Sequence, residues 1–337
     1  YMVLSNMATA PLFSKIWDDN PERLKAETVV RSIQDRICSK VLELEGPGSR
    51  FREDVWHRPN PNEGGGITRV LQDGIVFEKA GVNVSIVSGQ LPAHAIQSMK
   101  ADHSSLTRVS TDNVVFFAAG VSVVIHGRNP HVPTMHCNYR YFELEIAEDD
   151  KIWWIGGGTD LTPSYINDED CTHFHLVQKT ACDQFSPSFY PEFKSWCDRY
   201  FYLPHRNECR GVGGIFFDDV DTLPFDKAMA FLETCGFAVN DAYFPIVIRN
   251  MDHATNDDER HWQQLRRGRY AEFNLVYDRG TKFGLHTPSA RIESILMSLP
   301  LTCRWEYGYE PKPDSPEQDL VTVLRSPKDW LSLQLGQ

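Results

Sequence analysis

No run of apolar residues in this 337-residue chain reaches the ~20 needed to cross a bilayer, and the longest, VVFFAAGVSVVI at 114–125, falls well short. Cations are in the minority too. The 34 Lys and Arg stand against 46 Asp and Glu, a net charge of −12, which removes the basic footprint that nucleic acid or an anionic membrane surface requires. We therefore expect no nucleic-acid partner and no integral membrane segment, and any anionic ligand must be met by local cations. The eight cysteines, at 38, 137, 171, 182, 197, 209, 235 and 303, form no CxxC pair and no compact framework, so they read as reduced thiols serving mostly as small core residues. GxGxxG, GxxxxGKS/T and HExxH are missing, as are internal repeats and low-complexity tracts. The first residues, YMVLSNMATAPLFSKIW, have neither the basic start and apolar core of a secretory signal nor an arginine-rich amphipathic pattern. An intracellular protein is expected.

What remains is an ordinary globular composition, 41% hydrophobic with 12% aromatic, long enough to bury a large core. Asn20, Pro21 and Glu22 form a helix start, and Val30, Ile33, Ile37, Val41 and Leu44 recur at helical steps until Gly46. From 76 to 157 the period becomes two. VFEKAGVNVSIV, VVFFAAGVSVVIH, MHCNYRYFELEI and KIWWIGG read as strands, and the AEDD link between the last two allows only an antiparallel pair. Phe174, Val177 and Ala181, then Phe193, Trp196, Cys197 and Tyr200, mark helices, whereas GVGGIFFDDV (211–220) and YAEFNLVYD (270–278) read as strands. Thr287 and Pro288 open a short helix whose Ile292, Ile295, Leu296 and Leu299 form an apolar stripe with the pattern of ordinary core. The expected fold class is α+β, a large antiparallel sheet flanked by helices on both faces, in a single domain over 1–337 with the first ~14 residues peripheral.

Alternation on MHCNYRYFELEI places His136, Asn138 and Arg140 on one strand face with Phe142 and Leu144. A proton-transfer group, an amide and a permanent cation thus converge on a surface that continues as core, which favours a ligand-lined cavity over a solvated polar face. Pairing across HGRNPHVPT would bring Ser122 or His126 beside them. A metal reading of His126, His131, His136, His175 and His205 finds no support in their spacing. The triple glycines at 64–66 and 156–158 read as turns or bulges, yet Asp160 just after the second would sit at the mouth of the same cavity. Arg206, Arg210, Arg266, Arg267, Arg269, Arg279, Arg291 and Arg304 form a cationic run suited to a polycarboxylate, although any single one is expected to pair with a nearby acid.

Together GVSVVIH, PTMHCNYRYFE, WWIGGGTDLTPSY, YFYLPHRNECRGVGGIFFDD, LRRGRYAEFNLVYDRGTKFGLHTP and RIESILMSLPL resemble the oxygen-dependent coproporphyrinogen III oxidases over roughly residues 15 to 332. The resemblance implies oxidative decarboxylation of two propionates of coproporphyrinogen III to vinyl groups, giving protoporphyrinogen IX, with O2 as co-substrate and neither metal nor organic cofactor. It implies a cytoplasmic protein, with the mitochondrial intermembrane space as the alternative if a presequence is removed, and His136, Asp160 and Arg140 as catalytic residues. Ser122, Asn138, Tyr139, Arg140, Arg210, Asp278, Arg279, Ser289, Ala290 and Arg291 are the implied substrate contacts, and 270–306 the implied homodimer contact. A tetrapyrrole carrier that binds without converting, and a histidine-based metal hydrolase, are the competing classes. The oxygen-independent route to the same product needs a CxxxCxxC motif, which the chain does not have.

Overall fold

Asn20 opens the first element as its residue type predicts. In the computed structural model, which describes residues 20–91, 93–102, 106, 114–147, 150–286 and 290–332, its side chain accepts hydrogen bonds from the Glu22 and Arg23 backbone N–H groups at 3.2 and 3.1 Å. Helix α1 (Pro21–Glu45) then runs until Gly46, whose φ of 82° no other residue type adopts cheaply. Its buried stripe of Val29, Val30, Ile33, Ile37 and Val41 lies against a seven-stranded sheet.

The strands β1 (Arg52–His57), β2 (Gly64–Gln72), β3 (Phe77–Gln90), β4 (Val115–Gly127), β5 (Thr134–Ala147), β6 (Asp150–Thr162) and β7 (Gly213–Val220) lie side by side in chain order. Every neighbouring pair is antiparallel, so the α+β expectation holds. The expected strands between 76 and 157 are present, and β5 and β6 pair as their short link requires. Neither triple glycine is a turn, since both lie inside strands, β2 and β6, but the second borders a β-bulge at Gly156, one of the two expected forms. They pack where side chains have no room: a Cβ on Gly158 would fall 2.3 Å from the Ile215 carbonyl oxygen.

Cross-strand register sorts the two faces. Val84, Val121, Val123, Cys137, Tyr139, Tyr141, Ile155, Ile215 and Phe217 point to one side and are buried in the main core. There they meet α1, α3 (Asp168–Asp183), α4 (Phe189–Tyr200) and α5 (Phe225–Asn250). The opposite face carries a lateral row of Thr68, Asn83, Ser122 and Asn138, each the direct partner of the next. At one end of this second face α2 (Ala93–Asp102) belongs to a smaller cluster of Ile96, Leu144, Ile152 and Trp154, with Phe116 and Phe142 packed on it. At the other end lie α6 (Asp257–Val276), α7 (Arg279–His286) and α8 (Ile292–Leu296), while α9 (Pro316–Arg325) adds its Leu320 and Leu324 to the main core.

Two expectations fail in this half. YAEFNLVYD is not a strand: it forms the last turns of α6, which starts at a reciprocal capping box between Asn256 and Glu259 and buries Trp262, Leu265, Tyr270 and Phe273 at helical spacing. The stripe at Ile292, Ile295, Leu296 and Leu299 is not core, since Ile292 is 41% exposed and it is Met297 that is buried, packing over Gly81. Helix α8 begins at Ile292 with Arg291 at its N-cap, and the expected start at Thr287 and Pro288 lies outside the described residues.

Candidate active site

Alternation on β5 decides which side chains can meet a ligand. His136, Asn138 and Arg140 are half-buried, whereas Met135, Cys137, Tyr139 and Tyr141 between them are fully buried. The expected contact at Tyr139 is not made by its side chain, which faces the core, where its hydroxyl donates to the Cys235 carbonyl at 3.2 Å. Ser122 lies opposite Asn138 on the open face, as the sequence suggested.

His136 pairs across the sheet with Asp160, and its Nδ1 lies 2.7 Å from Asp160 Oδ1. Asp160 is not at a cavity mouth but 2% exposed. Behind it Arg210 Nη2 donates to both carboxylate oxygens, at 3.0 and 2.8 Å, while Nη1 donates to Asn274 Oδ1 at 2.9 Å. The guanidinium is stacked among the rings of Phe201, Tyr270 and Phe273, and the His136 ring meets Phe201 edge-on. Burial alone would push the Asp160 carboxyl up, but the Arg210 charge and the His136 hydrogen bond outweigh it and hold the group below the usual carboxylate range. An ionised Asp160 accepts from His136 Nδ1–H, which leaves Nε2 as the ring's exchangeable position. Nε2 has no protein partner among the described residues.

Arg140, two residues along β5, lies beside a second acid. Its Nη1 donates to Asn138 Oδ1 at 3.1 Å and its Nη2 is 2.8 Å from Asp218 Oδ2. Arg279 reaches the same Asp218 oxygen at 3.4 Å. Asp218 was missed in the sequence, where only the FFDD ending of a strand could have drawn attention to it. Asp278, expected to touch ligand, is occupied as the first-turn cap of α7: Thr281 N–H donates to its Oδ2 at 2.7 Å and the Tyr200 hydroxyl to its Oδ1 at 3.2 Å.

The far flank belongs to Arg291, which pairs with Asp54 on β1, while Ser294 of the same segment shares a hydrogen bond with Thr68 at 2.7 Å. Ala290 beside it is half-buried, and Ser289 lies outside the described residues. Four strand steps separate β1 from β5, so at about 4.8 Å per step the Arg291 and Arg140 flanks stand roughly 19 Å apart. The floor between them is polar or without side chains, with Thr68, Asn83, Gly120, Ser122 and Asn138, and it continues past Arg140 onto Gly156 and Gly158 of β6.

The other expected cations have fixed acids. Arg206 and Arg269 bind Glu272, Arg266 binds Glu208, Arg267 binds Glu78 and Arg304 binds Glu306. The histidines considered as metal ligands are dispersed. His126 Nε2 donates to the Ser298 carbonyl at 2.9 Å, His175 lies between the Val212 carbonyl and the Tyr190 hydroxyl, His131 approaches Glu259 and His205 approaches Glu272. Burial lowers His126 and His175 to about 3, so both are neutral near pH 7.

The family model described as coproporphyrinogen III oxidase matches residues 25–330. The chain belongs to the coproporphyrinogen III oxidase family. Curated relatives include the oxygen-dependent coproporphyrinogen-III oxidase of Drosophila melanogaster, 54% identical over 93% of this chain and 80% of the relative. The human enzyme, named as mitochondrial, is 51% identical over 92% of this chain and 67% of its own length. Coproporphyrinogen-III oxidase 1 of Arabidopsis thaliana, named as chloroplastic, is 52% identical over 92% of this chain and 79% of its own. These names overturn the cytoplasmic expectation, because close members of the coproporphyrinogen III oxidase family work inside organelles.

Proposed function

We propose that this chain is an oxygen-dependent coproporphyrinogen III oxidase, converting two propionates of coproporphyrinogen III to vinyl groups. Each conversion releases CO2 and two electrons with two protons, which reduce one O2 to hydrogen peroxide. The observation that carries the reading is the open sheet face: a floor roughly 19 Å wide, with Arg140 and Arg279 on one flank, Arg291 on the other and an aspartate-held histidine between strands β5 and β6. Arginine forks seat carboxylates bidentately, and a porphyrinogen, which is not aromatic, can pucker to set one propionate at a time beside His136. Electron-rich pyrroles react with O2 directly, so the reading calls on no resident metal or organic cofactor.

Within this reading His136 Nε2 exchanges the proton that moves as the side chain is oxidised. Asp160 acts through His136 by fixing its tautomer, because the carboxylate is 2% exposed and is held by His136 and Arg210 behind the open face. Arg140, Asn138 and Ser122 orient the reacting propionate.

Coproporphyrinogen III supplied in air, with chelator present, should yield a divinyl product seen by fluorescence after oxidation, together with CO2 and peroxide. No product in air, or product formed equally without oxygen, rejects the proposal, and loss of turnover under chelation rejects its cofactor-free form.

The proposal includes a homodimer through roughly 270–306. Leu275, Val276, Phe283, Leu285, Ile292 and Trp305 are all exposed large apolar residues of that segment, a concentration that suits burial against a second copy. Sedimentation should give twice the chain mass at micromolar concentration, and a monomer there contradicts it.

A further inference from the structure

The strand register breaks at one place beside the site. Ile155 of β6 pairs with Val220 of β7, but Gly157 pairs with Phe217, so Asp218 and Asp219 together oppose the single residue Gly156. This is a β-bulge, a device that re-aims side chains. Asp219 takes a left-handed φ of 57°, which strains a residue with a Cβ, and its N–H donates to Asp218 Oδ1 at 3.2 Å. The bulge turns the Asp218 carboxylate over the glycine floor. A Cβ on Gly156 would lie 2.6 Å from Asp218 Oδ1 and 2.8 Å from the Arg140 guanidinium carbon, so the ion pair occupies the space that a side chain there would fill. Asp218 Oδ2 then meets both Arg140 and Arg279.

We propose, resting on the functional reading above, that Asp218 is a positioning residue for the propionate seat. Its carboxylate holds two arginines with their forks toward one place. The shared carboxylate offsets part of the charge of the two guanidinium groups while fixing where they lie. A bare pair of arginines would hold a carboxylate more strongly and less precisely, binding more ground-state charge without aligning the reacting side chain. The strain at Asp219 and the glycine at 156 are then both explained by the need to place one carboxylate on this face.

Asp218→Asn keeps the size and removes the charge. Relative to the unsubstituted protein, its kcat should fall roughly tenfold or more, while the dissociation constant for coproporphyrinogen III, read by anaerobic equilibrium dialysis, stays equal or becomes tighter. Asp218→Glu, which restores the charge, should recover part of the lost kcat. Gly156→Ala displaces the same ion pair without changing any charge, so it should lower kcat by a similar factor and gives an independent test should Asp218→Asn fail to fold. Unchanged kcat in a folded Asp218→Asn or Gly156→Ala protein overturns the proposal. So does a parallel loss of affinity, kcat and melting temperature, which marks a purely structural role. Failure of the unsubstituted protein to make the divinyl product defeats the functional reading instead, and the affinity comparison still reports on Asp218.

Discussion

The two charged groupings of the site are built in opposite ways. Around Asp160 and Arg210 both side chains are at most 2% exposed, and every oxygen of the acid has a fixed donor. Around Asp218, by contrast, the Arg140 and Arg279 side chains are 32% and 51% exposed and share one acid. Charges in the dry grouping interact strongly with each other and cannot exchange partners, whereas those in the wet grouping are screened and can trade a protein carboxylate for one on a ligand. The first arrangement suits holding a histidine in one tautomer, and the second suits receiving and releasing an anion. Under the proposed function, one sheet face would carry both a rigid proton-transfer element and an exchangeable anion seat.

Removing one partner from the dry grouping should have the largest effect. Arg210→Met leaves Asp160 buried without its counter-charge, so unfolding free energy measured in urea should drop by about 3–5 kcal/mol, with turnover lost as well. A drop below about 1 kcal/mol would mean that water reaches Asp160 and that the contrast is false.

Acid should act on the same grouping next. Because the Asp160 carboxyl lies below its unfolded value of ~3.9, its contribution to stability is complete above that pH and is lost as pH falls through the folded value. His126 and His175, depressed to about 3, add a loss that begins near ~6.5, since the unfolded chain takes up those protons first. Urea midpoints should therefore fall from pH 6.5 downward. Asp160→Asn should flatten only the part below ~4, and a midpoint independent of pH would contradict the neutral assignment of the two histidines.

The wet grouping should respond more mildly in stability and mainly in binding. Arg140→Ala is expected to cost under about 1 kcal/mol of stability while raising KM about tenfold, the scale of one charged hydrogen bond to the ligand. Arg291→Ala, on the more exposed flank, should raise KM less and leave stability within about 0.5 kcal/mol. If Arg140→Ala unfolds the protein instead, the two groupings are not distinct.

Much of this contrast was legible in the sequence because strand alternation is a strict period. His136, Asn138 and Arg140 had to share a face, and Asn20 with Pro21 announced α1 unaided. The failures have physical reasons. YAEFNLVYD is rich in β-forming residues, yet α6 takes it because its buried stripe runs through Arg266, Arg267 and Asn274, polar residues that an apolar periodicity does not register. The fixed partners of Asp160 were hidden because Arg210 lies 50 positions downstream. Asp218 was hidden because a bulge changes where a side chain points without changing composition.

His136→Asn, compared with the unsubstituted protein in air at saturating coproporphyrinogen III, tests the central claim most directly. The aspartate-held imidazole predicts a folded variant with nearly normal anaerobic affinity whose rate of vinyl formation falls by about 10²–10⁴-fold. A folded variant that forms the divinyl product at the parental rate would contradict it.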